Sequence, residues 1–203
     1  LEIDALRGGG ILMMLTYPTL FDWNFFVSAF ELNTPFWFWF ARMGASIFIF
    51  LAGVSMVLHA HRKQIKNPFS LLPRALFILG LGMVITLFTY FAFPAYTIWF
   101  GILHLIGIAL LVSIPLLSRP RLAGVLGVLV LGVGILLSIP PSFGLIPWSG
   151  IFPVEMNSFD YFPLFPWLGV FWLGMCAAHE VYPNGIPHSL LGWKAGSEWV
   201  HTL

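Results

Sequence analysis

The sequence predicts an all-α protein, a polytopic bundle of about six transmembrane helices with both ends in the cytoplasm. Of its 203 residues, 59% are hydrophobic and only 8% are charged, whereas about a quarter of the residues in a soluble domain are charged. Six apolar stretches are long enough to cross a bilayer, which takes roughly 20 residues. The Lys and Arg residues fall on one side of the resulting topology. This composition excludes an ordinary soluble enzyme, a disordered chain and a nucleic-acid-binding domain with a basic patch.

The expected spans are separated by residues that favour turns. We expect the spans at about residues 8–30, 36–60, 74–93, 96–117, 122–139 and 164–181. The turn-forming combinations between them are Asn33-Thr34-Pro35, Asn67-Pro68, Phe93-Pro94, Arg119-Pro120 and Pro140-Pro141. The first stretch contains Pro18, Asp22 and Asn24, so we expect a kink in that helix.

The basic residues predict the orientation. When successive loops are assigned to alternate sides, one side receives all the Lys and Arg residues except Arg42, which falls inside the second span. They are Arg7, Arg62, Lys63, Lys66, Arg74, Arg119, Arg121 and Lys194. Because cytoplasmic loops carry the excess of Lys and Arg, this side is expected to be cytoplasmic. We expect a transmembrane domain at residues 1–181, a truncated polar cytoplasmic tail at residues 182–203, and further residues upstream of Leu1.

Two further features concern packing and metals. Gly124, Gly127 and Gly134 lie on one face of the fifth span, which predicts close packing against another helix. The single cysteine, Cys176, excludes a disulfide framework and a cysteine metal site. The sequence has no zinc motif, phosphate-binding glycine loop or nucleophile elbow, so no metal is expected.

Ionisable residues inside the spans are the candidates for chemistry, because such groups are costly in a bilayer. At about 1.5 Å per residue, Asp22 and Arg42 lie about 9 Å below the outer surface and His104 about 12 Å below it. An acid, a cation and an imidazole from three spans therefore reach a similar depth. The candidate catalytic residues are His104, Asp22, Asn24 and Arg42, and the candidate substrate-binding residues are Asp160, Tyr161 and Trp167.

Each candidate also has a structural interpretation. Asp22 and Arg42 could form a buried ion pair that locks two helices together. Alternatively, Arg42 orients a polar or anionic group of a substrate, while Asp22 adjusts the basicity of a catalytic base or binds a hydroxyl. His104 could be an interhelical hydrogen-bonding residue or a general base. Asp160 with Tyr161 could be a helix N-cap at the membrane interface. Trp167 could be an interfacial anchor.

A basic cluster marks the inner end of the second span. It consists of His59, His61, Arg62, Lys63, Lys66 and Arg74. The positive-inside rule already accounts for its position. The alternative is a site for anionic lipid headgroups or for a nucleotide phosphate.

Four ordered motifs resemble one known family. They are Glu2-Ile3-Asp4-Ala5-Leu6-Arg7-Gly8 with Phe21-Asp22-Trp23-Asn24, Phe48-Ile49-Phe50-Leu51-Ala52-Gly53-Val54-Ser55, Trp99-Phe100-Gly101-Ile102-Leu103-His104-Leu105-Ile106-Gly107, and Asp160-Tyr161-Phe162-Pro163-Leu164-Phe165-Pro166-Trp167-Leu168-Gly169. Together they resemble the heparan-alpha-glucosaminide N-acetyltransferase catalytic-domain family, in particular its small prokaryotic branch. The resemblance departs at Pro18, where small prokaryotic members commonly carry a histidine, and at the C-terminus, where members typically continue into another helix.

The resemblance implies an integral membrane acyltransferase that moves an acetyl group from acetyl-CoA to a sugar or glycan acceptor across the bilayer. It implies a histidine as acyl carrier or general base, with Asp or Asn positioning it, and Asp4 and Arg7 at the cytoplasmic entrance. Acetyl-CoA is then the co-substrate, and membrane lipids and a small-molecule or glycan acceptor are the partners. We expect no nucleic acid partner, leave a homodimer open, and expect the plasma membrane of a prokaryote. The alternative is a non-catalytic scaffold, lipid-binding subunit or small transporter in which the site has decayed.

Overall fold

The structure, a computed structural model, describes residues 8–13, 15–16, 19–20, 23, 35–137 and 158–182. This part of the chain is helical and contains no strand. The described residues between 8 and 23 all have helical conformation, and Gly10 among them faces Ile47 of the next helix. Pro18 and the Pro140-Pro141 turn lie outside the described residues.

From residue 35 onwards, the described part of the chain contains five α-helices. They are α1 (Pro35–Arg62), α2 (Leu72–Ala92), α3 (Ile102–Ser113), α4 (Pro120–Leu137) and α5 (Leu164–Val181). Short 3-10 helices at Pro68–Leu71 and Pro94–Tyr96 precede α2 and α3. The turns predicted at Asn67-Pro68, Phe93-Pro94 and Arg119-Pro120 are confirmed, because each of these prolines begins a new element, a position that tolerates its missing N–H.

The connection from α1 to α2 is a tight helix-ending turn. Gln64 adopts the left-handed region with φ of 46°, and the Ile65 N–H donates to the Ala60 carbonyl at 3.0 Å. This is the pattern of a Schellman C-cap. The Asn67 side chain then accepts the Phe69 N–H at 3.1 Å and starts the next 3-10 helix.

Successive helices alternate in direction. In the α2–α3 pair, Gly82 lies against His104 and Gly107 against Leu79, so the two helices are antiparallel. In the α4–α5 pair, Arg121 near the start of α4 bonds Glu180 near the end of α5, which makes this pair antiparallel as well.

The odd-numbered helices all begin at one end of the bundle. Arg42 in the early part of α1 lies over Trp167 near the start of α5, and Asp160, just before α5, bonds the first residue of α3, Ile102. Apart from Arg42, every Lys and Arg in the described part of the chain therefore lies where α1, α3 and α5 end. We call this the basic end; its members are Arg62, Lys63, Lys66, Arg74, Arg119 and Arg121.

Three helices of the described part are long and apolar enough to cross a membrane, namely Trp39–Arg62, Pro68–Ala92 and Leu164–Val181. Two shorter apolar helices, Ile102–Ser113 and Pro120–Leu136, lie beside them. The limits predicted for the fourth span, residues 96–117, are wrong: α3 has 12 residues, and at about 1.5 Å per residue it covers about 18 Å of a hydrocarbon core about 30 Å thick. The six-span count and the cytoplasmic position of both ends stay predictions.

Glycines allow very close packing of α5 with two neighbours. A Cβ added at Gly124, Gly127 or Gly134 would meet Cys176, Gly169 or Pro166 of α5 at 3.0 Å or less. The predicted packing role of these three glycines is therefore confirmed. On the other side of α5, a Cβ at Gly53 would overlap the Phe171 carbonyl, and one at Gly174 would overlap the Phe50 carbonyl.

The core lies where α1, α3 and α5 meet. Its fully buried side chains include Ile49 of α1, Leu105 of α3, and Phe171 and Met175 of α5. One polar link crosses this core, because the Trp172 indole N–H donates to the buried Ser113 hydroxyl at 2.8 Å. The core fixes the three helices that carry the candidate residues relative to one another.

Candidate functional site

His104 lies in the first turn of α3, at the end of the bundle opposite the basic end. Its side chain is buried, with 4% of the residue exposed, and the ring lies against Gly82 of α2. Nδ1 accepts a hydrogen bond from the Gly101 N–H at 3.2 Å. The Phe100 ring stands beside it, with 5.6 Å between ring centroids.

The second ring nitrogen contacts a threonine of α2. Nε2 of His104 lies 3.2 Å from Oγ1 of Thr86, and this hydroxyl donates its own proton to the Ile98 carbonyl at 2.6 Å. Since the hydroxyl proton is already committed, Nε2 is the donor in this pair and carries the ring hydrogen. We infer a neutral Nε2–H tautomer in which both ring nitrogens are hydrogen-bonded.

Two threonines one turn apart on α2 hold the extended segment that precedes α3. Thr89 Oγ1 accepts the Ile98 N–H at 3.1 Å, while Thr86 donates to the carbonyl of the same residue. Both backbone groups of Ile98 are thereby satisfied away from any helix. This arrangement explains why α3 begins at Ile102, six residues later than the apolar run predicts.

Asp160 caps α3 from a distant part of the chain. Its Oδ2 accepts the Ile102 N–H at 2.9 Å, and Gly101, having no Cβ, leaves room for the carboxylate. Burial raises the pKa of Asp160 to about 6, although the Ile102 N–H favours the charged form. Of the interpretations open for Asp160, this contact matches the helix N-cap, and the capped helix is α3, since α5 begins after Pro163, which gives no side-chain cap.

Arg42 is joined to His104 through a row of aromatic residues. The Arg42 guanidinium lies over the Trp167 ring, 5.8 Å from its centroid, which is within cation–π range. Trp167 contacts Phe162 edge to face at 5.0 Å. The Phe162 N–H donates to the Phe100 carbonyl at 3.0 Å, and Phe100 stands against the His104 ring.

The structure therefore brings five of the predicted site residues to the same end of the bundle. They are Arg42, His104, Asp160, the half-buried Tyr161 and Trp167. Asp4, Arg7, Asp22 and Asn24 lie outside the described residues, so the expected meeting of Asp22 with Arg42 and His104 stays a prediction. Among the described residues, no group of three or more His, Cys, Asp or Glu side chains could hold a metal ion.

Sequence reasoning missed four residues that position His104. They are Gly82, Thr86, Thr89 and Gly101. The one signal available was the pair Thr86 and Thr89, three residues apart in an otherwise apolar helix. Hydroxyl groups at that spacing share a helix face and can serve a neighbouring segment.

Comparison with known families gives one match. The family model described as heparan-alpha-glucosaminide N-acetyltransferase, catalytic, matches residues 1–203, which is the whole chain. The chain belongs to this family. The resemblance predicted from the motifs is confirmed, and membership together with the apolar helices makes this an acyltransferase-like membrane protein. No curated protein and no solved structure matches the chain.

In this member of the family, two of the motifs that carried the resemblance contact each other. Asp160 of the last motif bonds Ile102 of the third, and Phe162 bonds Phe100. The contacts enclose Gly101, whose N–H is bonded to His104. The two motifs thus form one structural unit around the His104 ring.

Proposed function

We propose that the protein is a membrane acyltransferase that moves an acetyl group from acetyl-CoA to a hydroxyl or amine of a sugar or glycan acceptor across the bilayer. The observation that carries the proposal is the contact between two family motifs around the buried His104. Asp160 of one motif accepts the Ile102 N–H of the other, next to the hydrogen bond from the Gly101 N–H to His104. An ionisable side chain inside an apolar bundle is energetically costly, which favours a functional role for His104. The plasma membrane of a prokaryote is the proposed location.

In the proposed reaction His104 is the general base. The acceptor oxygen or nitrogen forms a bond to the acetyl carbonyl carbon while its proton moves to the imidazole, and the thioester C–S bond breaks. The proton then passes to the departing thiolate of CoA. Arg42 orients a polar or anionic group of a substrate, and Asp22 and Asn24 position the base or bind the acceptor.

The two substrates approach from opposite ends. CoA is anionic, so the donor arrives from the basic end, with Asp4 and Arg7 at the entrance. The acceptor enters from the end that holds Asp160, Tyr161 and Trp167. Membrane lipids surround the bundle, and a homodimer stays a prediction.

The hydrogen bonds of His104 restrict how it can act as a base. Its Nδ1 lone pair already accepts the Gly101 N–H, and its Nε2 hydrogen points to Thr86. The ring can take a proton from the acceptor only if that proton replaces the Gly101 N–H at Nδ1. The acceptor must therefore reach the first turn of α3 on the side of Gly101, next to the Asp160 carboxylate.

The proposal is tested with the purified protein in proteoliposomes, by following both CoA thiol release and acetyl transfer to soluble sugars. His104→Asn keeps an oxygen where Nδ1 accepts the Gly101 N–H but cannot act as a base, so the rate should fall by about 10²–10⁴-fold. His179→Gln in α5 is the matched control and should leave the rate unchanged. An unchanged rate in the His104 variant would exclude it as the base.

A second candidate is a non-catalytic membrane protein in which the site has decayed. The observation that favours it is the saturated hydrogen bonding of His104. The family resemblance points the same way, because it implies a histidine at the position of Pro18. Pro18→His distinguishes the two. If the acyltransferase site is otherwise assembled, this variant should gain turnover; if neither wild type nor variant transfers acetyl groups, the non-catalytic function is supported.

A further inference from the structure

A cavity separate from the His104 site lies between α1, α2 and α3. Its volume is about 190 Å³, and its walls include Phe48, Leu51, Ile78, Ile106 and Leu110. Of all its lining residues only Ser55, His59 and Arg74 have polar side chains, and the Ser55 hydroxyl is already bonded to the Leu51 carbonyl. The cavity is thus an apolar chamber with two nitrogen-bearing side chains at one end.

The size and the walls of the cavity select an apolar guest. An apolar cavity of about 150 Å³ holds a benzene molecule, so this one accommodates a stretch of hydrocarbon chain. A guest with amide groups along its length would lose its hydrogen bonds to water there and find almost no partners, which costs free energy for each group. This disfavours the pantetheine arm of CoA and favours an acyl chain.

The polar end of the cavity is suited to an anion. Arg74 is exposed, and neither its guanidinium nor the His59 ring makes a hydrogen bond or ion pair with any residue in the described part of the chain. Lys63 and Arg74 are both close enough to His59 to act on it electrostatically. Lys63 and Arg74 belong to the basic end, and His59 lies beside them in the last turn of α1. An exposed guanidinium is well matched to a phosphate group.

We propose that this cavity binds an anionic phospholipid of the surrounding membrane, with part of one acyl chain between α1, α2 and α3 and the phosphate at Arg74 and His59. The cavity is distinct from the proposed catalytic site, because His104 is not among the residues that line it. Its occupant would hold α1 against α2 and α3, because α1 and α3 have few direct contacts with each other.

The test measures retained lipid by native mass spectrometry of the full chain, incubated with phosphatidylglycerol or with phosphatidylcholine of the same acyl chains. Wild type should retain more phosphatidylglycerol than phosphatidylcholine. Arg74→Gln should reduce that preference about 5- to 10-fold, since a cation near a membrane surface contributes a factor of this order. Ala52→Leu, which extends a wall residue into the cavity, should reduce retention of both lipids. Monodisperse elution and unchanged melting temperature establish that each variant is folded.

Arg121→Gln is the matched control. Arg121 lies at the same end but outside the cavity and is paired with Glu180, so its replacement should leave the lipid preference unchanged. An equal loss in both arginine variants would mean that only the general charge of the basic end matters, and would overturn the proposal. Displacement of the lipid by coenzyme A would assign the cavity to the acyl donor and also overturn it. Absence of acetyl transfer would leave the lipid measurement unaffected.

Discussion

Thr86 determines which nitrogen of His104 carries the proton. The hydroxyl lies between the ring Nε2, at 3.2 Å, and the Ile98 carbonyl, at 2.6 Å, and it donates to the carbonyl. The hydroxyl can then only accept from the ring. A residue of α2 that carries no charge thus sets the tautomer of the one buried histidine in the described part of the chain.

Thr86→Val should destabilise the fold. Valine has nearly the shape of threonine but leaves Nε2–H and the Ile98 carbonyl without their partner, at a cost of about 1–3 kcal/mol for each unsatisfied group. Thr86→Ser keeps the hydroxyl and should lose much less. Melting temperatures in detergent measure both variants, and equal losses would contradict the inferred hydrogen bonds.

Gly82→Ala should move the His104 ring. The added methyl would lie 3.1 Å from Nδ1 and Cε1, so the ring must shift by a few tenths of an ångström and weaken its bond from Gly101. Gly80→Ala meets nothing within 4 Å and should stabilise the helix by up to about 1 kcal/mol. The ¹⁵N chemical shifts of His104 check this prediction: they should change in the Gly82 variant and not in the Gly80 variant.

Asp160 should make stability depend on pH. Burial raises the pKa of Asp160 from its usual 3.8 to about 6, so the folded protein binds this proton more tightly than the unfolded chain. The contribution to the free energy of unfolding is full below about pH 4 and is lost as the pH rises through about 6.

Asp160→Asn isolates this contribution, because asparagine does not titrate. The melting temperature of wild type minus that of the variant should fall between about pH 4 and 6 and be constant above about 7. Other titrating groups cancel in the difference. A difference that rises with pH over this range would mean that the Ile102 N–H outweighs burial.

Gly134→Ala should weaken the α4–α5 interface. A methyl there would come within 2.6 Å of the Pro166 Cβ, whereas one at Gly132 meets nothing within 4 Å. Overpacking of this kind costs about 1–3 kcal/mol. Gly132→Ala, on the same helix, should leave the melting temperature unchanged or raise it. If both variants melt alike, the two helices separate more easily than the packing implies.

Local signals in the sequence predicted a large part of the fold. α5 spans the residues expected of the sixth apolar stretch, and Pro68, Pro94 and Pro120 begin elements where the turns were expected. The glycine face of α4 was also predictable from the sequence, because the helical period places Gly124, Gly127 and Gly134 on the same side of the helix. In these cases neighbouring residues carry the information.

The start of α3 could not be predicted in this way. Residues 96–101 carry no charged side chain and include Ile98, Trp99 and Phe100, so the apolar run continues across the boundary. The extended conformation there depends on Thr86 and Thr89, which are nine or more residues away in the chain.

The candidate site was predictable in its residues but not in its bonds. Arg42, His104 and Asp160 stand out as ionisable groups in an apolar chain. The partners of His104 and Asp160 are largely backbone groups, namely Gly101 N–H and Ile102 N–H. Every residue offers such groups, so no residue type identifies them in advance.

The close approach of α1 and α5 has a consequence for how related sequences can vary. Gly53 faces the Phe171 carbonyl and Gly174 faces the Phe50 carbonyl. At each glycine, the backbone of one helix therefore packs directly against the backbone of the other. A side chain at either glycine would force the helices apart and open a gap opposite the second one. Homologous chains should therefore keep both glycines or exchange both together, a correlated pair of alignment columns more than a hundred positions apart.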